Sequence, residues 1–143
     1  MPLSGSPDVF GPNPYVAKSD VLGRVVAVLC GVSTQRGLTI EDYRSRAVLA
    51  GQIHELMATD GECKPGAVVE RVALLVFFEV IAGGVILLDD VVEVAGVILG
   101  EVGGFNDTHM PNHQNICLIS PKLIDGADQR LQLGDVVRIY RAS

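Results

Sequence analysis

The chain has 143 residues, 48% of them hydrophobic but only 5% aromatic, with no tryptophan and a net charge of −6. That length suits one domain with a real core, and the shortage of aromatics means a core of branched aliphatics, which fit a pleated sheet better than a helix. The eleven Lys and Arg are scattered, so the clustered basic face that engages phosphates is missing, and neither nucleic acid nor an anionic membrane surface is an expected partner.

Residues 1–19 hold four of the seven prolines. They predict a flexible N-terminal arm with no core of its own, ahead of a β domain over 20–143. The opening "MPLSGSPDVFGPNPY" has neither a basic n-region nor an apolar h-region, and Cys30, Cys63 and Cys117 stand far apart with no CxxC. A reducing, cytoplasmic setting is therefore expected. Cys117, inside the apolar "NICLIS", reads as a buried small hydrophobe.

Ordered structure is expected from "VLGRVVAVL" (Val21–Leu29), a β-branched strand, followed by a polar loop, "CGVSTQRG". In "TIEDYRSRAVLAG" (Thr39–Gly51), Thr39 with Asp42 three residues on resembles a capping box and Gly51 a helix stop. The stretch reads as either one short helix or a loop that leads into a strand at Arg46–Leu49. "QIHELMA" alternates: Ile53, Glu55 and Met57 share one face, and His54, Leu56 and Ala58 the other. "TDGECKPG" is a turn cluster, with Asp60, Glu62 and Lys64 solvated.

The run Val72–Leu88 is 17 residues long, near a membrane span, but carries Glu79 at its middle and Gly83–Gly84. A carboxylate at mid-bilayer costs roughly 3 kcal/mol, so the run predicts two buried strands about a tight turn. An acidic turn at Asp89–Asp90 follows, then strands in "VVEVAG", "VILGEVGGF", "NICLIS" and "LGDVVRIYR". Seven or eight short strands predict a mainly β fold, a small closed or partly open barrel with at most one short helix. So apolar a chain is also expected to bury surface in a homodimer.

Polar chemistry concentrates in "GFNDTHMPNHQN" (residues 104–115), which holds two of the three histidines. His109 and His113 flank Pro111, which fixes φ and disfavours a helix, so their i, i+4 spacing does not by itself make them converge. If the barrel brings His54 to the same rim, three imidazoles and a water suit a divalent transition metal such as Zn²⁺, Fe²⁺ or Ni²⁺, with Asp107 or Glu55 in support. Without a metal, the same groups form a polar site for acid–base chemistry. The plainer alternative is an ordered turn, because Asn106, Asp107, Asn112 and Asn115 all cap turns through their own side chains. Glu79, if turned inward, becomes a further acid or base whose pKa burial would raise. Asn106, Asn112, Tyr43 and Arg46 are the expected substrate-binding groups.

The segments "DDVVEVAGVILGEVGGFNDTHMPNHQNICL" and "DGADQRLQLGDVVRIY" resemble the barrel of the glucitol/sorbitol-specific IIA component of the sugar phosphotransferase system. The matching features are Asp90, Gly96, Val102–Gly103, His113 entering a strand, and Asp125–Gly126. The resemblance covers about half the chain and implies a barrel and a phosphoryl-accepting histidine. It departs at Pro111–Asn112, where that family has Leu-Gly, and at the added His109. Three functions are therefore in view. The first is a barrel that binds or transforms a small organic molecule at a histidine-containing mouth, with isomerase, lyase or cyclase chemistry. The others are a phosphoryl or sugar-phosphate carrier and a non-catalytic binding module.

Overall fold

The computed structural model describes residues 18–142, so the expected proline-rich arm lies outside the described residues except for Lys18 and Ser19. Twelve strands follow in order: β1 (Val21–Val28), β2 (Val32–Ser33), β3 (Leu38–Thr39), β4 (Ser45–Val48), β5 (Ile53–Thr59), β6 (Val68–Val69), β7 (Val72–Ala82), β8 (Gly84–Leu87), β9 (Val91–Val94), β10 (Val97–Asn106), β11 (Asn115–Ile119) and β12 (Val136–Tyr140). Hydrogen-bonded pairing runs β1–β12–β9–β10–β11–β5–β7 and returns from β7 to β1, closing a ring of strands. The expected small β-barrel is thus the fold. Every pairing in the ring is antiparallel except β5 with β11.

No helix occurs among the described residues, and so none long and apolar enough to cross a membrane. Of the two readings of Thr39–Gly51, the helix does not form because neighbouring segments take its backbone groups. Ile40 N–H donates to Ala67 O and Glu41 N–H to Phe105 O, while β4 pairs with β8. The alternative strand near Arg46–Leu49 is what forms. The run Val72–Leu88 divides into two strands at Gly83, but they serve different sheets, β7 the barrel and β8 the β4 ribbon.

Two apolar clusters hold the molecule together. The barrel interior packs Leu56, Ala58, Val76, Phe78, Ile116, Leu118 and Ile139, among others. A second layer, outside β5 and β11, packs Leu38, Ile40, Met57, Cys63, Val69, Val72 and Cys117 beneath the β3–β6 ribbon. β5 and β11 are therefore covered on both faces, and β5 is buried from His54 to Thr59 instead of alternating with solvent. Gly103 and Gly104 make room for this layer: a Cβ on Gly103 would lie 2.8 Å from Cys63 Sγ, and one on Gly104 would clash with Ile40.

Glu79 does not turn inward. It alternates with the buried Phe78 and Val80, and its cross-strand neighbours Arg24 and Ile53 are exposed, so it lies on the outer face. Its expected role as a buried acid is thereby removed. Asp90, in the acidic turn, is a structural group: buried, 2.9 Å from Lys18 Nζ, and accepting the Leu87 N–H.

Candidate site at the barrel mouth

Because β5 and β11 run parallel, their first residues lie at one end of the barrel, with Asn115 opposite Glu55. Alternation on β5 then sets two chemistries back to back. His54 shares the interior face of Leu56 and Ala58, and Glu55 shares the outer face of Met57. The segment from Asp107 to Gln114 lands on this end of the pair.

That segment is tied down by its own side chains. Gln114 is fully buried; its Nε2 donates to Asn106 O and to Asp107 Oδ1, both at 2.8 Å, and its Oε1 accepts from Tyr43 Oη at 3.1 Å. Tyr43 shares its single O–H between that oxygen and Asp107 Oδ1, and stacks its ring on Phe105 at 5.5 Å. Burial, and then the Asp107 carboxylate, push its phenol well above the usual range. Asn106 accepts from Asn115 Nδ2 and the Thr108 N–H and donates to Thr39 O. Tyr43, Asn106 and Asp107 therefore brace the loop.

The two loop histidines do meet. His113 N–H donates to His109 O, a single turn of α type, and the rings lie 4.9 Å apart at 30°. The edge of the Phe77 ring also meets His113 at 4.9 Å. Asn112 Nδ2 lies 3.1 Å from His113 Nδ1, which makes Nδ1 the acceptor and leaves the proton on Nε2. That Nε2 is buried, makes no hydrogen bond, and sits 3.5 Å from Glu55 Oε1. Burial raises the Glu55 pKa, opposed by His109 and Arg36, and burial lowers that of His113, opposed by Asn115. Both shifts hold the pair toward its uncharged form.

His54 is in a different state. Its Nδ1 accepts the Gln114 N–H at 3.0 Å, and its Nε2 lies 3.1 Å from Gln52 Oε1, to which it donates. Burial, then the charges of Arg46 and His113, lower its pKa to about 4. Neither ring nitrogen has a free lone pair for a proton or a metal. Among the described residues no group of three His, Cys, Asp or Glu side chains is placed to hold a metal ion. The expected set of His54, His109 and His113 is not assembled: both ring nitrogens of His54 are engaged, and the other two rings lie tilted against each other.

Beside His54 opens a cleft of about 300 Å³, lined by Arg46, Gly51, Gln52, Met110, Pro111 and Asn112 among others, with no carboxylate in its wall. Arg46 forms no ion pair among the described residues; its Nη2 is 4.0 Å from Met110 Sδ, and its Nε is buried without a hydrogen-bond partner. Sequence reasoning singled out Arg46 and His54 but missed Gln52 and Gln114. Parity held the signal for Gln114, which is two and four residues before Ile116 and Leu118 and so falls on the same inward face.

Residues 15–140 match the model of a family of unknown function (DUF6917). No curated protein and no solved structure matches the chain.

Proposed function

This chain belongs to the family of unknown function DUF6917, a membership that assigns no chemistry, and we propose from the site itself that it binds a small anionic organic molecule in the cleft between Arg46 and His54. The observation that carries this reading is the Arg46 guanidinium, whose buried Nε lacks a partner in a wall free of carboxylates. An unsatisfied buried donor costs roughly 1–3 kcal/mol, more when charged, and a planar carboxylate or phosphate oxygen pair fits the guanidinium fork. Met110 and Pro111 offer an apolar wall for the rest of the molecule. His54, held neutral with its Nε2–H given to Gln52 Oε1, orients the Gln52 amide that lines the cleft; it is not the general base. At about 300 Å³ the cleft takes a small metabolite.

Titrating the protein with inorganic phosphate and a panel of small mono- and dicarboxylates, followed by NMR, tests this. The expected result is saturable shifts at Arg46, His54 and Asn112, weakened about tenfold or more by Arg46→Gln, the loss of one charge-assisted pair. Shifts absent from the cleft with every anion would overturn it.

A second reading, acid–base chemistry, is favoured by the buried Glu55–His113 pair at 3.5 Å. A phosphoryl-carrier reading has less support, because a phosphate on His113 Nε2 would face the Glu55 carboxyl at that same distance.

A further inference from the structure

We infer that Cys63 and Cys117 form a peroxide-responsive thiol pair, in which Cys63 is attacked first and Cys117 closes a disulfide onto it. The two residues are distant in sequence but meet in the second apolar layer, outside β5 and β11. Cys117 points into that layer from the middle of β11, opposite Gly104. Cys63 comes from the loop after β5 and lies over Gly103, at the bulge beside Gly104, where a Cβ would come within 2.8 Å of Sγ and 3.0 Å of Cβ. The two thiols are neighbours in this layer, and each bears on the other: the pKa of Cys63 is lowered by Cys117, and that of Cys117 is raised by Cys63 and by burial.

Access differs in the same sense. Cys63 lines a surface cavity of about 260 Å³ that also holds Arg44 and Lys64, whereas Cys117 is fully buried and does not line it. The cavity, which Asp89 also lines, admits a molecule the size of a hydroperoxide.

The chemistry balances with a hydroperoxide as oxidant. The Cys63 thiolate attacks the terminal peroxide oxygen, the O–O bond breaks, and the alkoxide or hydroxide leaves and takes a proton, giving Cys63 sulfenic acid. Cys117 then loses its proton and attacks that sulfur; the S–S bond forms and the hydroxyl leaves as water. Two thiols give up two electrons and one peroxide is reduced. This pair is independent of the Arg46 cleft, on which it makes no demand.

The test uses the full chain carrying Cys30→Ser, which removes the exposed third thiol. After hydrogen peroxide treatment, denaturation and alkylation, the expected result is loss of both alkylatable thiols, a mass lower by two hydrogens, and a peptide joining residues 63 and 117. With Cys117→Ser added, a dimedone adduct should form at Cys63. With Cys63→Ser instead, Cys117 should stay alkylatable after the same exposure, with a melting curve like that of the parent. Full alkylation of both thiols in peroxide-treated, folded parent protein overturns the pair. Oxidation of Cys117 in the Cys63→Ser protein overturns the order.

Discussion

His54 and His113 lie at the same end of the barrel and are joined through Gln114, yet they are opposite in kind. His54 has both ring nitrogens engaged and its pKa pulled to about 4. His113 has a buried Nε2 with no hydrogen bond and a carboxyl 3.5 Å away. The first holds structure together, and the second keeps bonding capacity in reserve. A histidine at a barrel mouth therefore acquires its role from the bonds its neighbours leave it, and not from its place in a polar stretch.

The sharpest way to break this contrast is to remove each ring in turn. His54→Ala leaves the buried Gln114 N–H without its acceptor, takes one of two donors from Gln52 Oε1 and opens a void against Phe78, a loss of about 4 kcal/mol. His113→Ala removes ring contacts with Phe77 and His109 but no hydrogen bond inside the barrel, and should cost about 1 kcal/mol. Urea denaturation at pH 7 measures both. Equal losses would show that His113 is as structural as His54.

Next in size is the acid response. His54 has a folded pKa near 4 against 6.5 for the free side chain. Its contribution is present above pH 6.5 and is lost as pH falls toward 4, because the unfolded chain takes up the proton first. The integrated effect is about 3 kcal/mol. His54→Gln, though less stable at neutral pH, should lose this component and have a flatter stability profile between pH 6.5 and 4. An unchanged slope would mean that other groups carry the acid sensitivity.

Much of the barrel could be read in the chain because local chemistry encodes it. The β-branched Val21–Leu29 is β1, and Gly96 turns β9 into β10. What could not be read depends on long-range pairing. The capping-box residues Thr39 and Asp42 favoured a helix locally, but β4 found β8 and Ile40 found Ala67. At the site, the meeting of His109 and His113 rests on one turn bond, and the bond that engages His54 Nδ1 comes from a residue 60 positions away in sequence. Arg46 could be noticed as a cation near a mouth; that its Nε has no partner is a property of the folded surroundings alone.

The smallest expected effect is also the one that decides what the Glu55–His113 pair is. Burial raises the Glu55 pKa, so any stability it confers is present below the unfolded carboxyl pKa and lost as pH rises through the folded value. The lowered His113 pKa works the other way, favouring the fold above its unfolded value. If both groups are held uncharged, Glu55→Gln replaces a carboxyl that must give up its proton with an amide that need not. Stability at pH 8 should then rise by on the order of 1 kcal/mol, with little change at pH 4. If Glu55 is instead ionised as a true partner of a charged His113, the same substitution strands a buried imidazolium and lowers stability near neutrality. Opposite signs at one pH separate an acid–base pair at rest from an ion pair, and only the first has a protonated acid beside a neutral imidazole at neutral pH.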